Sequence, residues 1–422
     1  MADRRELTGE APGPGTVLTE GARPTVPGRL AWLRPPRHWP AWLQVVAIYA
    51  LARLVTTVAL LIIGTTLTAT SRAGVAPEFF DYSVIWDGDW YQIIAYYGYP
   101  TELPRDASGS VMQNAWAFMP AYPFLVRGVS VLTGLRWPVA AVATSLTFGF
   151  GAALVLFRIL RKRLEHGTAL FSIVLFAVGP VSFIFQMGYA ESMQVFLLVL
   201  ALLLLTERRW APLFPVIAVM AVTRPTGLAF ALALAGYWLV RYLRRESDPF
   251  PRQERVVAGA AVVFSGLSGL AWAIIAWVAT GSITAYTDTE ISWRAMWFGL
   301  RELELFTPWF QAAGFWFGMP WGGVVVIAVI LGFTATLFLP SVRKLGVELR
   351  LWMASYALYL VAVFFPQTSV FRLLVPMFPM VGALAQPKSV AYRVSMVVCL
   401  MSLQILWLWV TWGPIQAYWT TP

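Results

Sequence analysis

The residues most able to do chemistry are acids and arginines scattered through an apolar chain. Asp87 and Asp89 stand two positions apart among aromatic side chains in WDGDWYQIIAYYGYP (Trp86–Pro100), with Trp86, Trp90 and Tyr91 beside them. Asn114 follows in NAWAFMPAYP, Tyr189, Glu191 and Ser192 in GYAES, Arg224 in TRPTG, and Arg372 in FRLLVP. A phosphate held bidentately by arginines, with a carboxylate taking a proton from an attacking hydroxyl, is chemistry that such a set can perform. Aromatic side chains along the first stretch suit the faces of a sugar and the cover of an isoprenoid chain. A phosphate-linked sugar on a lipid carrier fits this combination.

Each residue also has a plainer reading. An Asp at this place caps or charges the start of a helix, and Glu191 can do the same. Arg224 can snorkel and Arg372 can anchor headgroups. For Arg53, inside the first apolar run, an internal ion pair is as natural as a ligand contact.

Other chemistries lack their residues. There is no GxGxxG and no GxxxxGK[ST], so a nucleotide on a Rossmann or P-loop scaffold is unsupported. The two histidines, His38 and His166, stand apart, and the single Cys399 lies in an apolar run. No metal site and no cofactor is therefore expected. The net charge of +10 would suggest nucleic acid in a soluble protein, but no nucleic-acid partner is expected here.

The elements that must position these groups are membrane helices. The 422 residues are 59% apolar and 12% charged, about half the charge of soluble domains. Apolar runs occupy roughly 41–70, 138–160, 168–186, 190–206, 211–223, 226–240, 255–280, 319–340, 350–366, 372–386 and 392–413. They predict about eleven spans within a transmembrane domain over 41–413, several of them shorter than an upright crossing needs. Thr223–Gly227 predicts a break between 211–223 and 226–240, giving two short helices or one long broken one. Residues 1–40, rich in Pro, Gly and Arg, read as a disordered basic tail and not a cleaved signal peptide. Residues 414–422 read as a short tail.

With the N-terminus inside, 22 of the 31 basic residues fall on inner segments and 8 on outer ones. That bias orients the chain with its C-terminus outside. Two long outer segments follow, 71–137 and 281–318, and all the candidate groups gather on the outer face. Trp86, Trp90, Ile93, Ile94 and Tyr97 predict an amphipathic helix lying along the membrane surface. Asp87 and Asp89 are about 200° apart on such a helix, so one at most faces a given pocket unless the helix starts between them. ISWRAMWFGLRELELFTPWF predicts a second interfacial helix.

The ordered set WDxxWY…IAxxGY, xFxPxYP, SFxF…YxES, TRPxG and FRxxxPxFP, running from Trp86 to about Pro379, resembles the PIG-V family of mannosyltransferases. The resemblance implies a GT-C fold in a bacterial plasma membrane, or in the endoplasmic reticulum of a eukaryote. It also implies a polyprenyl- (or dolichyl-) phosphate mannose donor and inversion at the anomeric carbon. By the same resemblance Asp87 matches the WD position of the catalytic base. Trp90 stands where relatives often carry His, which leaves Asp89 open as a second acid. The acceptor is open among glycolipid, glycan and protein. A transporter or lipid flippase is the alternative, and it would spread polar residues through both leaflets. An assembly protein would leave the arginines and Glu191 without a role.

Overall fold

The computed structural model describes residues 39–295, 299, 303–366 and 369–414. Its helices in chain order are α1 (Ala41–Gly64), α2 (Phe79–Tyr82), α3 (Asp87–Tyr97), α4 (Ala121–Thr133), α5 (Trp137–Arg161), α6 (His166–Val178), α7 (Glu191–Thr206), α8 (Trp210–Ala221) and α9 (Gly227–Leu243). They continue with α10 (Arg252–Thr280), α11 (Ala285–Ser292), α12 (Pro308–Phe317), α13 (Trp321–Thr336), α14 (Pro340–Arg343), α15 (Val347–Val363), α16 (Val370–Leu373), α17 (Met380–Leu384) and α18 (Val390–Trp412). Among the described residues the only β pairing is an isolated bridge between Arg105 and Val111.

Each of the eleven apolar runs is helical among the described residues, nine as one continuous helix and two as broken ones. Four helices, α1, α5, α10 and α18, are long and apolar enough to cross a membrane. Five more, α6 to α9 and α13, are apolar but shorter. Closed backbone hydrogen bonding makes the helix the natural element in lipid, and the chain is an all-α, multi-pass membrane protein. The break expected at Thr223–Gly227 yields two helices, α8 and α9. The compact body begins at Ala41, and the tails expected over 1–40 and 414–422 lie almost wholly outside the described residues.

The run 168–186 breaks where Gly179 and Pro180 end α6, before a 3-10 turn over Ser182–Gln186. Backbone carbonyls freed inside an apolar bundle need donors. Arg53 supplies them: its guanidinium donates to the carbonyls of Ala177, at 2.5 Å, and Ser182. Gln404 of α18 donates to Gly179 at 2.6 Å. Arg53 thus serves the open end of a broken helix, where the sequence suggested an ion pair or a ligand contact. The cation also suits the negative end of the α6 dipole.

The first outer helix corrects its expected face. The buried positions of α3 are Gly88, Tyr91, Ile94 and Ala95, while Ile93 is 41% and Tyr97 86% exposed. Trp86 lies just before the helix, and the inward face carries Gly88. A methyl group on Gly88 would stand 3.0 Å from Val84 Cβ and 3.5 Å from the Gly188 carbonyl, so this face packs closely. The second expected interfacial helix is interrupted: α11 ends at Ser292, α12 begins at Pro308, and 296–298 and 300–302 lie outside the described residues.

Candidate functional site

Four segments distant in sequence end at one cavity of about 420 Å³. Asp87 opens α3, Glu191 opens α7, Arg224 occupies the turn between α8 and α9, and Arg372 lies on the one-turn helix α16. All four line the cavity, with Tyr91 beside them. The turn bearing Arg224 is held by a close approach of α9 to α10. A Cβ on Gly227 would come within 2.6 Å of Gly269 Cα, so the two backbones meet without side chains between them. Ser265 also donates to the Gly227 carbonyl at 2.9 Å.

The charges interlock. Arg372 Nη1 donates to Asp87 Oδ2 at 2.5 Å, and Arg224 Nη2 lies 3.8 Å from the same oxygen. Arg224 also pairs with Glu191 Oε1, and Arg372 Nε approaches that atom at 3.3 Å. Glu191 Oε2 is buried and meets no donor. Burial alone works against the Arg224 cation, but Glu191, Tyr91 and Asp87 outweigh it and hold the guanidinium charged above its ordinary range. Both guanidinium groups are engaged by carboxylate oxygens, and guanidinium meets carboxylate and phosphate with the same fork.

Asp89 is not part of this cluster. It points away from Asp87, as two positions on a helix require, and its Oδ2 accepts from Arg72 at 2.7 Å with 40% of the side chain exposed. Trp86 sets the start of the helix instead of meeting the cavity. It adopts φ 67°, a conformation that costs a bulky residue free energy, and its indole donates to the Thr411 carbonyl at 3.2 Å. Arg72 covers the same ring, 4.7 Å from its centroid. Tyr82, just before this helix start, is tied twice to α18: its hydroxyl donates to the Trp412 carbonyl, and the Trp412 indole donates to the Tyr82 carbonyl at 3.1 Å.

The remaining expected ligands make contacts within the protein. Trp90 stacks on Phe118 with centroids 5.7 Å apart. Asn114 caps the 3-10 turn at Ala115–Ala117, accepting from Trp116 N–H at 3.0 Å, and donates to Thr289 Oγ1 at 2.9 Å, which ties the first outer segment to α11. The Tyr189 hydroxyl donates to the Ile85 carbonyl at 2.9 Å and accepts from the Asp87 N–H at 3.3 Å. Ser192 donates to the Phe185 carbonyl at 3.1 Å. None of these lines the cavity.

Two cavity-lining groups escaped sequence reasoning. Gln194, one turn beyond Glu191, donates to Thr226 Oγ1 at 2.5 Å and leaves its Oε1 buried without a partner. Glu290, on α11, lines the same cavity with Tyr286 and Arg294. The signal for it was the spacing Tyr286–Glu290–Arg294, four residues apart on one helix face, in an outer segment read chiefly for its aromatics. Among the described residues no group of histidines, cysteines and acids is placed to hold a metal ion.

No family model matches the chain, and no curated protein sequence does. Among solved structures it is similar to the archaeal oligosaccharyltransferase AglB from Archaeoglobus fulgidus in complex with an inhibitory peptide and a dolichol-phosphate, at 14% identity and TM-score 0.43, over 86% of this chain and 55% of that one. The apo form of the Archaeoglobus fulgidus oligosaccharyltransferase is similar at 15% identity and TM-score 0.40, over 89% of this chain and 56% of that one. The chain spans about half the length of the solved structures it matches.

Proposed function

We propose that this chain is a membrane glycosyltransferase of the GT-C type. It moves a hexose, mannose by its resemblance to the PIG-V family, from a polyprenyl-phosphate carrier to a hydroxyl of a glycolipid, glycan or protein on the outer face of the plasma membrane. The observation that carries this reading is the convergence of Asp87, Glu191, Arg224 and Arg372 on one cavity at the end of an apolar bundle. Grouping four charges in such a place costs desolvation free energy that an apolar packing would avoid. An anionic substrate delivered by a lipid explains the expense.

In the reaction, Arg224 and Arg372 turn from their carboxylates to the phosphate oxygens of the donor. The acceptor oxygen attacks the anomeric carbon from the face opposite the phosphate, the carbon–oxygen bond to phosphate breaks, and its electrons leave with the polyprenyl phosphate. The two guanidinium groups stabilise the charge that develops on that leaving oxygen. Asp87 takes the proton of the attacking hydroxyl. One displacement inverts the anomeric centre.

The test uses membranes containing the full chain, radiolabelled polyprenyl-phosphate mannose and a lipid and glycan extract, with Asp87→Asn run beside the natural sequence. Label passing into a new product only with Asp87 present supports the transferase. A correctly inserted natural chain that transfers nothing from any polyprenyl-phosphate sugar overturns it.

A further inference from the structure

The cavity that holds Arg224 and Arg372 has further polar lining with a chemistry of its own. Glu290 on α11, with Tyr286 four residues before it, lines the cavity together with Arg294 and with Tyr359 of α15. Helix α11 is fixed rigidly to the first outer segment: Thr289, next to Glu290, is fully buried and accepts from Asn114. Glu290 keeps surface open to the cavity while protein surrounds it. No salt bridge within 4.0 Å is made by this carboxylate, unlike Asp87 and Glu191, each of which has two.

A carboxylate and two tyrosines lining the same cavity as Arg224 and Arg372 offer partners for both parts of a glycosyl phosphate, the sugar hydroxyls and the phosphate. Hydroxyl groups are recognised by carboxylate acceptors and by phenol groups that donate and accept. The volume falls within the ordinary range of small-molecule sites. We propose that Glu290, with Tyr286, binds sugar hydroxyl groups and so sets which glycosyl unit stands against Asp87. This assignment rests on the glycosyltransferase reading and deepens it.

The groups that act on Glu290 fix the sign of its pH dependence. Burial pushes its carboxyl up to about 7, against hydrogen bonding from Tyr286 and the charges of Arg224 and Arg294, while Asp87 adds to the rise. Tyr359 is the remaining titratable neighbour. The charged form, the better acceptor, therefore gains as pH climbs through about 7.

The test titrates the full chain in lipid nanodiscs with methyl α-D-mannopyranoside and, separately, with farnesyl phosphate. Glu290→Gln should weaken glycoside binding about tenfold at about pH 8, as expected for loss of a charge-assisted hydrogen bond, and leave farnesyl phosphate binding within about twofold. The natural chain should bind the glycoside more tightly at about pH 8 than at about pH 6, and Glu290→Gln should not. Should Glu290→Gln fail to assemble, Glu290→Asp and Tyr286→Phe take its place and should show the same selective loss. No glycoside binding by the natural chain, glycoside binding unchanged in the variants, or equal loss of both probes overturns the proposal. If farnesyl phosphate does not bind the natural chain while the glycoside results hold, the lipid-phosphate reading fails and the role of Glu290 stands.

Discussion

Helix α9 carries a buried arginine network at each end, about 25 Å apart by its length. Before its first turn Arg224 joins Asp87, Glu191 and Arg372. In its last turn Arg241, 3% exposed, reaches Glu254 at 3.1 Å, Asp248 at 3.0 Å and the Pro249 carbonyl at 2.8 Å. The Phe250 ring lies 4.6 Å from its guanidinium carbon. Both networks set buried arginine against two acids, and each leaves a buried polar atom without a hydrogen-bond partner, Arg241 Nε in one and Glu191 Oε2 and Arg372 Nε in the other. They differ in what they border. The Arg241 network engages both Glu254 oxygens and borders no part of the site cavity. The residues of the Arg224 network line it. Buried charge and unmet hydrogen bonds mark structure as readily as function; an adjoining cavity separates the two.

The largest expected effect is on Asp87. Asp87→Asn should lower transfer by about 10²- to 10⁴-fold, the range of a lost general base, with membrane insertion intact. Transfer rates near the natural value would remove Asp87 as base and make the two networks alike. Arg241→Ala should do the reverse: a stability loss of about 3 kcal/mol from stranding Glu254, while Asp248 keeps Arg208, read by thermal unfolding in detergent, with the surviving protein fully active. Lost activity in folded Arg241→Ala protein would break the division between the ends.

Arg372→Ala should raise the donor KM by about 10- to 100-fold, as for loss of hydrogen bonds to a charged group, with a smaller change for the acceptor. A donor KM equal to that of the natural chain would count against a phosphate contact. The smallest effect belongs to Asp89→Asn. Its exposed pair with Arg72 contributes about 0–1 kcal/mol, so both melting temperature and transfer should stay near natural values. A large loss of transfer would bring Asp89 back as the second acid.

Much of the fold was legible because it follows from local properties. An apolar run cannot leave its backbone unpaired in lipid, so each of the eleven runs is helical, and the Thr223–Gly227 break lies where Pro and Gly put it. The cluster was visible in parts: Asp87, Glu191, Arg224 and Arg372 stood out because ionisable groups in so apolar a chain are rare. Glu290 did not, since an acid in a long polar-aromatic outer segment has no local contrast. Asn114, Tyr189 and Ser192 stood out for the same reason that they bond within the protein: polar side chains in apolar surroundings must bond to something, and here backbone groups and a threonine hydroxyl stand nearest.

The amino-acid sequence by itself determined the helical membrane class and the charged groups available for chemistry, for both depend on side-chain type and short spacing. Tertiary structure decided which groups meet. Asp87 and Arg372 are 285 positions apart, and their contact exists only because α3 and α16 end at the same cavity. It also decided which of Asp87 and Asp89 lines the cavity. Their roughly 200° separation says that at most one faces it, but the inward face is the one where Gly88 packs against the Gly188 carbonyl and Tyr189, about a hundred positions away. Direction around a helix is a packing outcome, and packing involves neighbours the local sequence does not contain.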